Sequence, residues 1–293
     1  MNNEGSTILV TGATGTVGSE VVRQLSAKGQ IGIRAAARSA NNPTFKDLKS
    51  VEIVELDYNK PETLATAFKN VNKLFLLTPF QSDMLDLTSN LVNAAKKSGI
   101  KYIIKQSVMG ADAEPGITPG RLHRQAEKII EESGIPFSFL RPNFFMQNFV
   151  NFNSPTIKSQ GAVYAPAGDG KVSFVDVRDI AAVAVQALIN DNQYKGKPFN
   201  ITGPEALSYG QAAEILSKEL GKEIKYVNIP DEDARKGMKE MGMDDWSANS
   251  LIDLFDITRK GYASDISSVV EELTDRKPIS FSQFVKDYAQ AFR

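Results

Sequence analysis

Residues Thr11-Gly12-Ala13-Thr14-Gly15-Thr16-Val17-Gly18 set three glycines at the spacing G-x-x-G-x-x-G. The short apolar run Ile8-Leu9-Val10 precedes them, and Thr16 to Lys28 follows with Val17, Val21, Val22 and Leu25 on one helical face. In that setting each glycine has its own task. The first permits a tight turn, the second lets backbone approach a pyrophosphate, and the third lets the helix pack close to the sheet. Free N–H groups and the positive end of the helix dipole then suit phosphate. The expected cofactor contacts are Gly12, Thr14, Gly15, Thr16, Val17 and Gly18. A strand-to-helix turn without a ligand is the plain alternative, and the flanking strand and helix favour the dinucleotide.

The second apolar run, Ile31 to Ala37, decides the type of dinucleotide. An acid near its end would hold the adenosine ribose 2′-hydroxyl. The residues there are Ala35-Ala36-Ala37-Arg38-Ser39, so Arg38 stands in its place. A guanidinium suits a 2′-phosphate through charge-assisted bidentate hydrogen bonds, with a solvated surface arginine as the plain alternative that the placement after the strand disfavours. NADP(H) is therefore expected ahead of NAD(H). Asp57, after a third run from Val51 to Leu56, can accept from an adenine amino group or cap a turn.

These positions need a scaffold, and the first two-thirds of the chain supplies its pattern. Apolar runs alternate with amphipathic stretches: Leu74 to Leu77, a helix from Met84 to Lys97, Tyr102 to about Ser107, a helix from Gly120 to Ser133, and Phe137 to Leu140. Strand–helix alternation with short connections predicts an α/β fold, a doubly wound parallel sheet of the Rossmann kind. Ligands bind outside the strand C-termini in such sheets. That rule adds Thr78, Pro79 and Phe80, Ser107 to Gly110 with Met109, and Asn143 to Met146 to the residues of interest. The expected division is 1–155 for the nucleotide-binding domain, with 172–203 returning to it, and 156–293 for a smaller α-rich C-terminal lobe. Within that lobe Ser154 to Lys171, rich in Gly, Pro and Ser, reads as a connection or small hairpin. Ser208 with Gln211, and Ser280 with Gln283, read as helix N-caps.

Composition narrows the chemistry. The 293 residues contain no cysteine and one histidine, His123. Thiolate nucleophiles, iron–sulfur ligation, cysteine zinc sites and multi-histidine metal centres are excluded, and no metal site is expected. A bound cofactor that carries the chemistry is the better expectation. Lys plus Arg is 34 and Asp plus Glu is 35, giving a net charge of −1, which argues against a nucleic-acid binder. The polar start, Met1 to Ser6, shows no secretory pattern, and no apolar stretch reaches membrane-spanning length. A cytoplasmic protein is the expectation.

Taken together, TGATGTVG, the Arg34…Arg38 strand ending, Leu77-Thr78-Pro79, Ser133 to Asn148 (SGIPFSFLRPNFFMQN) and Phe174 to Ala181 (FVDVRDIA) resemble the NmrA-like branch of atypical short-chain dehydrogenase/reductases. The resemblance covers essentially the whole chain. It implies an NAD(P)H-dependent reductase of quinones, azo dyes or triphenylmethane dyes, or a regulator that binds NAD(P) and acts through a protein partner. A homodimer is compatible with either. By similarity Asn143 touches the nicotinamide end.

One departure matters. Orthodox short-chain dehydrogenases carry Tyr-x-x-x-Lys, and none of the eight tyrosines here has lysine four residues later. By similarity Gly120 stands at the tyrosine position and Arg124 at the lysine position. Arginine can hold a ribose, but glycine cannot transfer a proton. Hydride transfer to a small, planar, apolar, electron-poor acceptor is what remains. His123, one residue before Arg124, is either a proton donor or substrate contact, or a surface histidine beside Glu127 at i, i+4. Phe144 and Phe145, with Met146, Phe149 and Phe152, form an apolar substrate wall opposite Phe80, Met109 and Trp246, or else pack a core.

Overall fold

The strand-forming runs pair side by side in a seven-stranded sheet. The computed structural model describes residues 6–29, 31–48 and 50–293, so most of the polar start lies outside it. Strands β1 (Thr7–Val10), β2 (Gly32–Ala37), β3 (Val51–Glu55), β4 (Lys73–Leu76), β5 (Tyr102–Gln106) and β6 (Phe137–Pro142) alternate with helices α1 (Thr16–Lys28), α2 (Pro61–Ala67), α3 (Met84–Lys97) and α4 (Thr118–Glu132). The pairs β3–β2, β2–β1, β1–β4, β4–β5 and β5–β6 are parallel. Adding β9 (Pro198–Ile201), the order is β3-β2-β1-β4-β5-β6-β9. The order reverses between β1 and β4, which opens a crevice at the C-terminal ends of those two strands.

Continuous apolar runs are what a sheet covered on both faces requires. Leu74, Phe75 and Leu76 of β4 are fully buried, and each such side chain contributes about 1.5–3 kcal/mol. Helix α1 buries Val17, Val21, Val22 and Leu25, the face expected from their spacing. Helix α4 begins two residues before its expected start, with Pro119 in its first turn, where a missing N–H costs nothing.

The chain divides into two units. The first holds the described residues of Met1–Ala113, with Gly120–Arg141 and Ile180–Phe199. The second holds Glu114–Pro119, Pro142–Asp179 and Asn200–Arg293. The division expected from sequence was thus too generous to the nucleotide domain, which ends at Arg141 and regains only the helix α6 (Val177–Ile189) from Ile180 onward, α7 (Asp191–Tyr194) and part of β9.

The second unit contains a π-helical turn at Phe149–Asn153, α5 (Ser154–Gln160), the strands β7 (Ala162–Ala165), β8 (Lys171–Val172), β10 (Leu207–Ser208) and β11 (Lys225–Asn228), and helices α8 (Tyr209–Leu220), α9 (Asp231–Glu240), α10 (Asp245–Arg259), α11 (Val269–Thr274), α12 (Phe281–Asp287) and α13 (Ala289–Phe292). Ser154 to Lys171 is therefore not a plain connection. Pro155 sits in the first turn of α5, where proline is tolerated, and Gly161 closes that helix in the left-handed region at φ 62°. Ser208 and Gln211 form a capping box on α8, and the Ser280 side chain accepts from Gln283 N on α12. No helix among the described residues is long and apolar enough to cross a membrane.

Candidate functional site

The glycine loop is built as its spacing requires. Gly12 has φ +61°, and a Cβ added there would come 2.7 Å from Leu77 Cδ2. A Cβ on Gly18 would fall 2.2 Å from Gly12 O, so the helix reaches the loop only because Gly18 has no side chain. Gly15 is the N-cap of α1 and supplies no capping side chain, and Thr14, Gly15 and Thr16 are exposed. The N-terminus of α1 thus has no side-chain cap at Gly15. Val17 points inward as core.

Across the crevice the segment after β4 is tied to the loop. Thr11 N donates to Phe75 O at 3.0 Å, Thr11 Oγ1 donates to Leu77 O at 2.9 Å and accepts from Leu77 N at 2.8 Å. Tyr58 Oη also donates to Leu77 O at 2.9 Å, and burial pushes that phenol up. These bonds hold Thr78, Pro79 and Phe80 at the strand end. Among the described residues the buried side-chain atoms without a hydrogen-bond partner are Thr78 Oγ1, Gln106 Oε1 and Ser107 Oγ. All three stand at the C-terminal ends of β4 and β5. Buried polar atoms are nearly always satisfied, so three open ones together are an exception among the described residues. Sequence inspection reached Thr78 and Ser107 and missed Gln106.

Arg38 is exposed directly after β2, a placement that suits a phosphate contact and a solvated arginine alike. Arg34, by contrast, donates from Nε to Glu52 at 2.8 Å and from its terminal nitrogen to carbonyls at the end of α2, a packing role. The Asp57 carboxylate accepts from Asn59 N at 3.0 Å and lies 3.9 Å from Lys60 Nζ. Asp57 therefore serves as the turn cap that sequence left open beside the adenine role.

The helix α4 departs most from expectation. Gly120 is buried, and a Cβ there would meet Gly110 O at 3.0 Å. Arg124 donates to both carboxylate oxygens of Glu131, at 2.8 and 3.2 Å, and to Glu127 at 3.2 Å. Its guanidinium is committed along its own helix. His123 is buried at 8% exposure, which overturns the surface reading. Glu127, fully buried, is gripped by Arg141 through Nε at 2.9 Å and a terminal nitrogen at 2.7 Å, so it does not partner the imidazole. His123 stacks with Phe80, centroids 6.2 Å apart and planes 3° from parallel. Its Nδ1 stands 3.5 Å from Nζ of Lys105, a fully buried lysine that also donates to Gln106 O at 2.5 Å.

Burial pulls the Lys105 ammonium down to about 8 against the opposing charge of Glu127. Burial, and then the charge of Lys105, hold His123 well below its ordinary value, so the imidazole is neutral. Sequence inspection missed Lys105. The available signal was a lysine inside the otherwise apolar strand Tyr102-Ile103-Ile104. Met109 lies half-buried in the loop after β5.

The remaining expected residues belong to the second unit. Asn143 Nδ2 donates to Ser173 Oγ at 2.7 Å and Ala263 O at 2.8 Å, while its Oδ1 accepts from Phe144 N at 3.0 Å. The amide serves that unit's interior and is not free for a nicotinamide. Phe144 packs edge-on to Phe174 at 6.5 Å, and Phe149 meets Phe174, Tyr209 and Phe281 at 4.9–5.7 Å. Phe149 is thus core. Phe145 is half-buried, in a parallel bridge to Val175. Trp246 lies on α10. Among the described residues no cluster of three His, Cys, Asp or Glu side chains could hold a metal ion.

Comparison with known proteins gives a consistent picture. The chain is 35% identical to the NAD(P)H azoreductase of Xenophilus azovorans over 285 residues, 97% of this chain and 99% of that one. Among solved structures, the NADPH-dependent quinone oxidoreductase of Escherichia coli in complex with NADPH superposes with a TM-score of 0.84 at 28% identity, over 96% of this chain and 99% of that one. The triphenylmethane reductase of Citrobacter sp. superposes with a TM-score of 0.84 at 27% identity, over 98% and 99%. The NmrA-like family model matches residues 4–285, and the chain belongs to that family.

Proposed function

We propose that this protein is an NADPH-dependent reductase that passes hydride to a planar, electron-poor acceptor such as an azo compound, a quinone or a cationic dye. The observation that carries the reading is the set of open polar atoms, Thr78 Oγ1, Gln106 Oε1 and Ser107 Oγ, beside an uncapped glycine loop. That set fits a dinucleotide: the exposed Thr14-Gly15-Thr16 turn at the start of α1 suits its phosphates, and the hydroxyls and amide suit a ribose and a carboxamide. Arg38 suits a 2′-phosphate, which places NADP(H) ahead of NAD(H). The bound nicotinamide supplies the hydride. The chain's own residues orient it and the acceptor, and Phe80 offers a flat apolar contact at the strand end. The NADPH-bound quinone reductase and the azoreductase among its relatives support the same cofactor and acceptor class.

Without Tyr-x-x-x-Lys, and with Gly120 closed off by the Gly110 carbonyl, ordinary ketone reduction through a tyrosine acid is not supported. NADPH oxidation against a panel of azo dyes, quinones and cationic dyes tests the reading, and tight NADPH binding with no turnover of any of them would reject it. Arg38→Asp is expected to weaken NADPH binding at least about 10-fold more than NADH binding, measured by fluorescence titration. Equal losses would remove Arg38 from the phosphate site.

A further inference from the structure

A neutral histidine and an unpaired buried ammonium beside the strand ends are not explained by cofactor binding. Lys105 is 0% exposed, yet its recorded partners, the Gln106 carbonyl and the His123 ring, carry no negative charge. Isolating an ammonium in this way is destabilising, and an apolar residue of similar length would avoid it. The charged groups facing Lys105 are few. Glu127 on α4 is the acid, and it is already held by Arg141 of β6 and Arg124 of α4. The register neighbours of Lys105, Leu76 on β4 and Phe139 on β6, are apolar. His123 follows on α4, stacked with Phe80 of the loop after β4.

We infer that Lys105 and His123 form a proton relay for the acceptor, with His123 as the residue that meets it and Lys105 as the positioning residue that resupplies the proton through Nδ1. This rests on the reductase reading above. An ammonium N–H donated to Nδ1 leaves the ring proton on Nε2. When hydride from the reduced nicotinamide adds to one nitrogen of an azo group, the other nitrogen gains a lone pair. His123 Nε2 gives it a proton while Nδ1 takes one from Lys105. The azo group has then gained two electrons, one hydride hydrogen and one proton, becoming a hydrazine. The nicotinamide is oxidised, and the lysine is left as a neutral amine until water returns one proton to the pair. An ammonium lowered to about 8 is well matched to that exchange near neutrality. The relay also supplies what the missing tyrosine would have supplied.

Two measurements test it. Because the chain has one histidine, ¹⁵N-histidine labelling reads a single imidazole by NMR without any substrate. A neutral Nε2–H ring is expected, with an Nδ1 shift that follows a midpoint near 8 and loses it in Lys105→Met. An imidazole that protonates near the free value of about 6.5, or one indifferent to Lys105→Met, overturns the pair. The second measurement uses two acceptors. A cationic triarylmethane dye takes hydride at carbon and needs no proton, whereas an azo dye needs one. Lys105→Arg keeps a cationic donor but does not release its proton. The azo-to-cationic-dye rate ratio should fall at least about 10-fold in it, and in the wild type this ratio should decline as pH rises through about 8. Should the arginine variant not fold, the solvent deuterium effect on the wild type decides, being larger for the azo dye if the relay operates. An unchanged ratio, or equal isotope effects on both dyes, overturns the relay alone. No turnover of either dye, nor of any quinone, by the wild type overturns the reductase reading and the relay together; turnover of quinones alone overturns the relay.

Discussion

Among the described residues the two units differ in their buried polar side chains: the second partners all of them, whereas the first partners most and leaves a few open at two strand ends. In the second, Asn143, Ser173, Gln147, Asp176 and Asp179 are each closed off by protein partners. Ser173 Oγ donates to Asp265 O at 2.7 Å, Gln147 joins Asp176 at 3.0 Å and Val177 N at 3.1 Å, and Asp179 takes Arg276 at 2.5 Å and Ile279 N at 2.8 Å. In the first, Thr78, Gln106 and Ser107 are left open and Lys105 is charged without an anion of its own. A satisfied network fixes a fold. An unsatisfied one costs stability, which under the proposed function a bound ligand offsets. The motif FVDVRDIA, part of the family resemblance, belongs to the first kind: it holds the second unit together.

That contrast can be broken by substitution. The largest loss is expected at Asp179→Ala, which orphans the Ile279 N–H and an Arg276 guanidinium. Because Arg276 is 39% exposed, the cost is set at about 2–3 kcal/mol, measured by urea unfolding. A comparable change of opposite sign is expected at Lys105→Met. A fall from 10.5 to about 8 at a fully buried group corresponds to about 3 kcal/mol of strain relieved. Here the folded value lies below the unfolded one, so the unfolded chain binds more protons between the two. The wild-type penalty is complete below pH 8 and fades as pH rises toward 10.5. The advantage of the methionine variant should therefore shrink over that window, and an advantage constant with pH would mean that folding does not shift the titration of the lysine. His123 works in the acid direction: its folded value is lowered, so wild-type stability falls as pH drops below about 6.5, and His123→Phe should flatten that limb. The smallest pair of effects is the most direct comparison. Ser173→Ala should cost about 1–2 kcal/mol, because Asn143 and Asp265 lose a partner. Ser107→Ala should change stability by less than about 0.5 kcal/mol while weakening NADPH binding. Equal costs at the two serines would erase the distinction between the units.

Periodicity and glycine spacing carried the sheet and the glycine loop, because both are local: a period, a cap and a φ above zero are written in a few consecutive residues. The same reasoning placed Arg38 after β2 and Thr78 and Ser107 at strand ends. It went astray at α4. Arg124 looked free to hold a ribose, but Glu131 lies two turns further on and captures it. Of the two readings of His123, the surface pair with Glu127 at i, i+4 fails because Arg141, 14 residues beyond Glu127, had already claimed that acid. Asn143 is engaged by Ala263, 120 residues away.

The sequence by itself therefore determined a dinucleotide-type α/β sheet, the absence of thiol and multi-histidine chemistry, and the lack of a tyrosine–lysine pair. Only the tertiary structure decided which polar residues remain open and which are spent. Competition for a carboxylate or a carbonyl is settled by strands and helices distant in sequence. It was settled so that Glu127 went to arginines and left Lys105 with the protein's one histidine.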